Sequence, residues 1–126
     1  MSTAGPSPLP DRIGIALSGL CLLHCVALPL GLSVLPVLAA TWLDGLAGAT
    51  WFHAALLVPV VLVSGFVLGR RALDIAWLGP LLALALGAMT AALFVEGEGR
   101  EQALTVGGAS FLMLAHWLNM RAPRRT

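Results

Sequence analysis

The chain has 126 residues, of which 59% are apolar and 10% charged, where average soluble domains run near 45–50% and 25%. That length holds one domain, and so large an apolar excess excludes an ordinary small soluble globule, which must cover much of its surface with charge. All seven basic residues are Arg and the net charge is +1, too small an excess to point to a nucleic-acid partner.

The charges are clustered, and the gaps between them are long enough to cross a bilayer, which takes about 20 apolar residues as a helix. Residues 1–10 hold Pro6, Pro8 and Pro10 with Gly5, Ser2 and Ser7 and read as a flexible lead-in. Asp11 then reads as the cap of a first helix running from Ile13 to about Ala40, within the charge-free run Ile13–Leu43. Pro29 and Pro36 fall inside it. Each lacks an N–H and displaces the carbonyl four residues back, so the carbonyls of Cys25 and Leu32 need partners inside the bundle. A signal peptide is the competing reading of this run, but the run is about twice the length of a signal's apolar region.

The second helix is expected from about Ala49 to Gly69 with Pro59 in its middle, the third from about Leu73 to Val95 with Pro80 early, and the fourth from about Gln102 to Met120. Residues 11–121 thus form one four-span domain, and 122–126 a basic tail. The fold class is an all-α, four-helix transmembrane bundle whose short loops make neighbours antiparallel. From the N-terminal edge through the three loops to the tail the Arg residues number one, none, two, one and three, the third loop's Arg100 being outnumbered by the segments that flank it. The positive-inside rule therefore puts both termini in the cytoplasm. Trp42, Trp51, Trp77 and Trp117 lie near span ends, as interfacial anchors do. Gly14-x-x-x-Ser18 and Gly65-x-x-x-Gly69 are patterns that permit close helix contact.

One group of residues could do chemistry. Cys21, His24 and Cys25 are three and four apart and share a helix face. Counted from Ile13, they sit near the middle of the bilayer, where such groups are costly and usually functional. Two thiols and an imidazole are soft to borderline ligands, suited to a thiophilic or borderline metal such as Zn(II) or Cu(I) or a heavier relative. Simple packing is the competing reading, because Cys is also a small apolar filler. His53 lies just inside the second helix and His116 near the end of the fourth, with Asn119 on the same face as His116. With His24 between them, the three His mark outer, middle and inner levels, either as a relay of metal ligands or as unrelated side chains. No carboxylate is expected deep in a span, which argues against a proton-driven pump with a buried acid. No phosphate loop, metalloprotease motif or nucleophile elbow occurs, so an enzyme is not expected.

The stretch Leu20-Cys21-Leu22-Leu23-His24-Cys25 with Pro29 downstream, Phe52-His53, and His116-Trp117-Leu118-Asn119-Met120-Arg121 together resemble the mercuric transport family called MerC, over about Asp11 to Arg125. The resemblance implies a bacterial inner-membrane protein that takes up Hg(II) through a first-helix Cys pair, here Cys21 and Cys25. It implies no permanently bound cofactor, the metal being cargo. Mercury-resistance members space the pair as Cys-x-x-Cys and can carry further Cys near the C-terminus. Here the spacing is Cys-x-x-x-Cys with His24 in the group, and the tail has no Cys, so a different metal such as Zn(II) is also open. Partners expected are the metal ion and the lipid bilayer, and four short helices enclose so little volume that a homodimer is compatible. The alternative is a non-transporting membrane protein, either a binder of Zn(II) or haem or a small structural subunit of a larger complex.

Overall fold

The computed structural model describes residues 8–34 and 50–122. These form four helices: α1 (Leu9–Val34), α2 (Thr50–Ala72), α3 (Leu78–Ala92) and α4 (Glu98–Arg121), with no strand among the described residues. Pro36, Trp42 and the end expected for helix one lie outside them.

Helix α1 begins four residues earlier than its charge-free run. Pro8 and Pro10 do not prevent this, since a first turn needs no N–H from its residues and proline's fixed φ suits it. The Arg12 amide bonds the Pro8 carbonyl at 3.1 Å. Asp11 therefore lies within the first turn rather than capping it, a place where a carboxylate is favoured by the free amides of the helix start. The helix continues through Pro29.

Helix α3 is shorter than expected. The chain makes turns through 73–77, with Asp74 and Ile75 amides both on the Arg71 carbonyl at 3.0 Å, and helix starts only at Leu78. Pro80 falls in its first turn, where the missing donor is harmless. Absence of charge over Ile75–Val95 measures what lipid tolerates, not where the backbone is helical. At about 1.5 Å per residue the helix is roughly 22 Å long. By length and hydropathy, Leu9–Ala27 and Trp51–Ala72 can cross a membrane, while Leu78–Ala92 is apolar but shorter.

Helices α2 and α4 close the centre of the bundle. α1 packs on both, α3 packs on both, and α1 and α3 do not touch. The interior is held by Leu57, Val60, Leu68, Leu78, Met89 and Leu112, all buried. The outer surface carries Leu20, Leu23, Leu62, Phe66, Leu84 and Trp51, all exposed, while Asp11, Ser18, Ser64, Thr105, His116 and Asn119 point inward and are buried. Apolar outside and polar inside is the arrangement lipid selects, since a polar group facing hydrocarbon has no partner.

Two glycines allow the closest approaches. A Cβ on Gly14 of α1 would fall on the His116 imidazole of α4, and one on Gly108 of α4 would fall on the Met89 side chain and 2.9 Å from the Ala85 carbonyl of α3. The Gly65 and Gly69 pattern does no such work: Gly65 would meet only Leu86 at 3.7 Å and Gly69 meets nothing within 4 Å.

Candidate functional site

The interior face of α1 is a single stripe: Asp11, Gly14, Ser18, Cys21 and Cys25, spaced three, four, three and four, all buried. That spacing keeps a helix face turned to its partners along its whole length. The stripe runs about 21 Å from carboxylate to second thiol.

Its thiol end lies beside the start of α4. Cys21 and Cys25 are free, buried 2% and 8% exposed, and near enough to each other to interact. The Gln102 amide donates to the Cys25 carbonyl at 2.7 Å, and Gln102 belongs to the second turn of α4. This is the carbonyl that Pro29 deprives of its helical donor, so the partner required inside the bundle is a side chain of α4. His24 is half-buried beside the stripe, its ring 5.1 Å from that of Phe52, next to the turn that carries His53. His53 Nδ1 is 3.5 Å from Glu101 Oε1, and its Nε2 is buried without a partner among the described residues. His24 therefore lies beside the first turn of α2, which also carries His53. Among the described residues no three or more His, Cys, Asp or Glu side chains are already gathered into a metal cage.

His116 is elsewhere. It lies over Gly14 and is fully buried, roughly 10 Å along α1 from Cys21. Its Nδ1 is 2.9 Å from Asp11 Oδ1, and its Nε2 is 3.0 Å from Ser64 Oγ on α2. One ring nitrogen thus faces the acid and the other the hydroxyl, so both are engaged. Asn119 donates to both Asp11 oxygens at 2.9 and 3.0 Å and accepts from Arg71 Nε at 3.0 Å. Asp11, in the first turn of α1, is 6% exposed and is covered by the other helices.

Hydroxyl, imidazole and carboxylate stand here in the order that activates a serine nucleophile, but Ser64 and His116 are both wholly buried, so no substrate reaches the hydroxyl. Ser18 Oγ, one turn from Gly14, is buried and has no partner among the described residues.

Sequence reasoning missed Asp11, Ser64, Gln102 and Glu101. For Asp11 the signal was present: the same three-four spacing that joins Cys21 to Cys25 extends back through Ser18 and Gly14 to it. Ser64, Gln102 and Glu101 depend on which helix faces which.

A helical bundle that is apolar outside and carries an inward polar stripe has the build of a membrane protein, and its stripe ends in two buried free thiols. The chain belongs to the MerC mercury resistance protein family, whose profile matches residues 11–121. That membership makes it a mercury-resistance membrane protein of the metal-ion transport type, in a family of transporters rather than enzymes. No curated protein and no solved structure matches the chain.

Proposed function

We propose that the protein takes up Hg(II) across the bacterial inner membrane by passing it through Cys21 and Cys25 as two thiolates. The observation that carries the reading is the pairing of two buried free thiols on the inward stripe, with His24 between them in sequence. Two sulfurs one turn apart satisfy an ion content with two soft ligands, whereas Zn(II) asks for four in a tetrahedron. The metal supplies the charge that makes thiolate tolerable at that depth.

His53, Glu101 and His24 form the outer approach, where a borderline ligand can hold the cation before the thiols take it. His116 is left out of the ligand set, because both its ring nitrogens are engaged and Gly14 covers it. The chain crosses the membrane four times with both termini inside: Arg12, Arg71 and Arg121 belong to the end joined by Asp11 and Asn119, and Arg100 to the other. The short α3 then reaches the interfaces through its flanking turns.

Detergent-purified protein should bind Hg(II), and cells carrying it should accumulate the ion. Replacing both Cys21 and Cys25 by Ser should abolish both effects while leaving helix content intact. Undiminished uptake by the double variant would remove the proposal.

A further inference from the structure

Two cations on the outer surface, both at the Asp11 end of the bundle, are built the same way. Arg70 lies in the last turn of α2 and Arg121 in that of α4, and both are exposed. Each has an exposed aromatic residue four positions earlier, Phe66 and Trp117, hence one turn back on the same face. Side chains on a helix lean towards its N-terminus, so each guanidinium comes back over that ring. The distance to the ring centroid is 4.3 Å for Arg70 over Phe66 and 3.9 Å for Arg121 over Trp117. The negative face of the ring attracts the cation and holds it along the helix instead of letting it reach past the helix end to water.

Neither cation is paired with an acid. Among the described residues the ion pairs are His53 with Glu101 and His116 with Asp11, and the Arg that joins the interior network is Arg71, through Asn119. This end carries Arg12, Arg70, Arg71 and Arg121 against Asp74 and the buried Asp11, whereas the other carries Arg100 against Glu96, Glu98 and Glu101. A cation on a lipid-facing helix surface is costly without a counter-ion. Stacked flat on its ring, a guanidinium keeps the N–H donors of its edge free, and that planar fork matches a phosphate bidentately. The phosphate found at the level where a span ends is that of the lipid headgroup.

We infer that Arg70 on Phe66 and Arg121 on Trp117 are two seats for anionic phospholipid headgroups, one on the lipid side of α2 and one on that of α4. In each, the ring supports the flat face of the guanidinium and the headgroup phosphate takes its edge. An anionic headgroup is favoured over a zwitterionic one, which brings a cation of its own towards an end already rich in arginine. The seats lie at the opposite end of α1 from Cys21 and Cys25, as the Arg71–Asn119–Asp11 chain shows, so lipid binding does not depend on the metal reading.

The full chain in detergent, mixed with equal amounts of phosphatidylglycerol and phosphatidylcholine of the same acyl chains, gives the test, with retained lipids counted by native mass spectrometry. Phosphatidylglycerol should be retained in preference. Arg70→Gln and Arg121→Gln should each weaken its retention about fivefold, with helix content by circular dichroism unchanged, since both side chains are on the surface. Arg70→Lys keeps the charge but neither the fork nor the flat face and should recover only part of the loss, and Trp117→Leu should weaken retention with every charge in place. Arg100→Gln, at the other end, should leave retention as it was. Equal retention of the two lipids would overturn the seats. So would full retention by both Arg70→Lys and Trp117→Leu, which would leave only a diffuse attraction of charge. Excess inorganic phosphate should not strip the phosphatidylglycerol; if it does, the guanidinium edges hold the free anion and not a lipid, and the inference fails.

Discussion

Replacing Gly14 by Ala puts a methyl group on the His116 imidazole. The ring has little room to retreat, because it is bonded at 2.9 Å to Asp11 on one side and at 3.0 Å to Ser64 on the other. Forcing an extra carbon into such a contact costs about 1–3 kcal/mol, and an interhelical hydrogen bond broken within a membrane bundle costs about 0.6 kcal/mol on average and up to about 1.7. The sum is about 2–4 kcal/mol. Ala also gains about 0.5–1 kcal/mol over Gly in a helix, so the control is Gly19→Ala, on the same helix, whose new methyl would meet only Met113 Cε at 3.9 Å. Unfolding in mixed micelles should place Gly14→Ala about 2–4 kcal/mol below Gly19→Ala, the propensity gain cancelling between them. Adding His116→Ala should give back part of the loss by emptying the space. Equal stability of the two Gly variants would refute the contact, and with it the placing of His116 on α1.

The outer and lateral contacts make further expectations. Gln102→Leu leaves the Cys25 carbonyl without its donor and should lower stability by about 1–3 kcal/mol; Gln102→Glu, whose ionised carboxylate cannot donate, should do the same, which thermal melts in detergent can check. Gly108→Ala drives a methyl against the Ala85 carbonyl and Met89 and should loosen α3 by about 1–3 kcal/mol, read as increased proteolysis of the segment between α3 and α4. The His53–Glu101 pair is 3.5 Å apart and part-exposed, so Glu101→Gln should alter stability by less than about 1 kcal/mol while raising the Hg(II) concentration needed for half-maximal uptake; an unchanged requirement would take Glu101 out of the approach.

The helices were legible because charge-free runs and proline positions are local properties. The demand that Pro29 makes on the Cys25 carbonyl was also legible, but not that Gln102 meets it, since nothing in the sequence says which side chain of another helix stands opposite. Two boundaries misled for one reason. Charge marks where lipid ends and not where a helix does: α1 begins inside the proline-rich lead-in, and α3 stops short of its apolar run. Once α1 starts at Leu9, Asp11 moves from a cap to a position within the first turn. The three His could be seen singly, but their grouping could not. His24 and His53 come together through Phe52, whereas His116 joins an acid whose partnership depends on α1 and α4 running antiparallel.

The two ends of the bundle are tied unequally, and this predicts which opens first. The end at Asp11 joins α1, α2 and α4 through five hydrogen bonds among Asp11, Ser64, Arg71, His116 and Asn119, most of them buried. At the thiol end the described residues show the Gln102 bond to the Cys25 carbonyl and the part-exposed His53–Glu101 pair. Apolar burial does not drive helices together in lipid, where the tails are as apolar as leucine, so polar ties and close packing carry much of the association. Local opening free energies should follow the same order. In lipid nanodiscs, amides in the first two turns of α4 around Gln102 should exchange hydrogen faster than those around His116, when positions equally far from the two helix ends are compared to remove fraying. Faster exchange around His116 would mean that the three bonds from Asp11 to His116 and Asn119 do not hold α1 to α4.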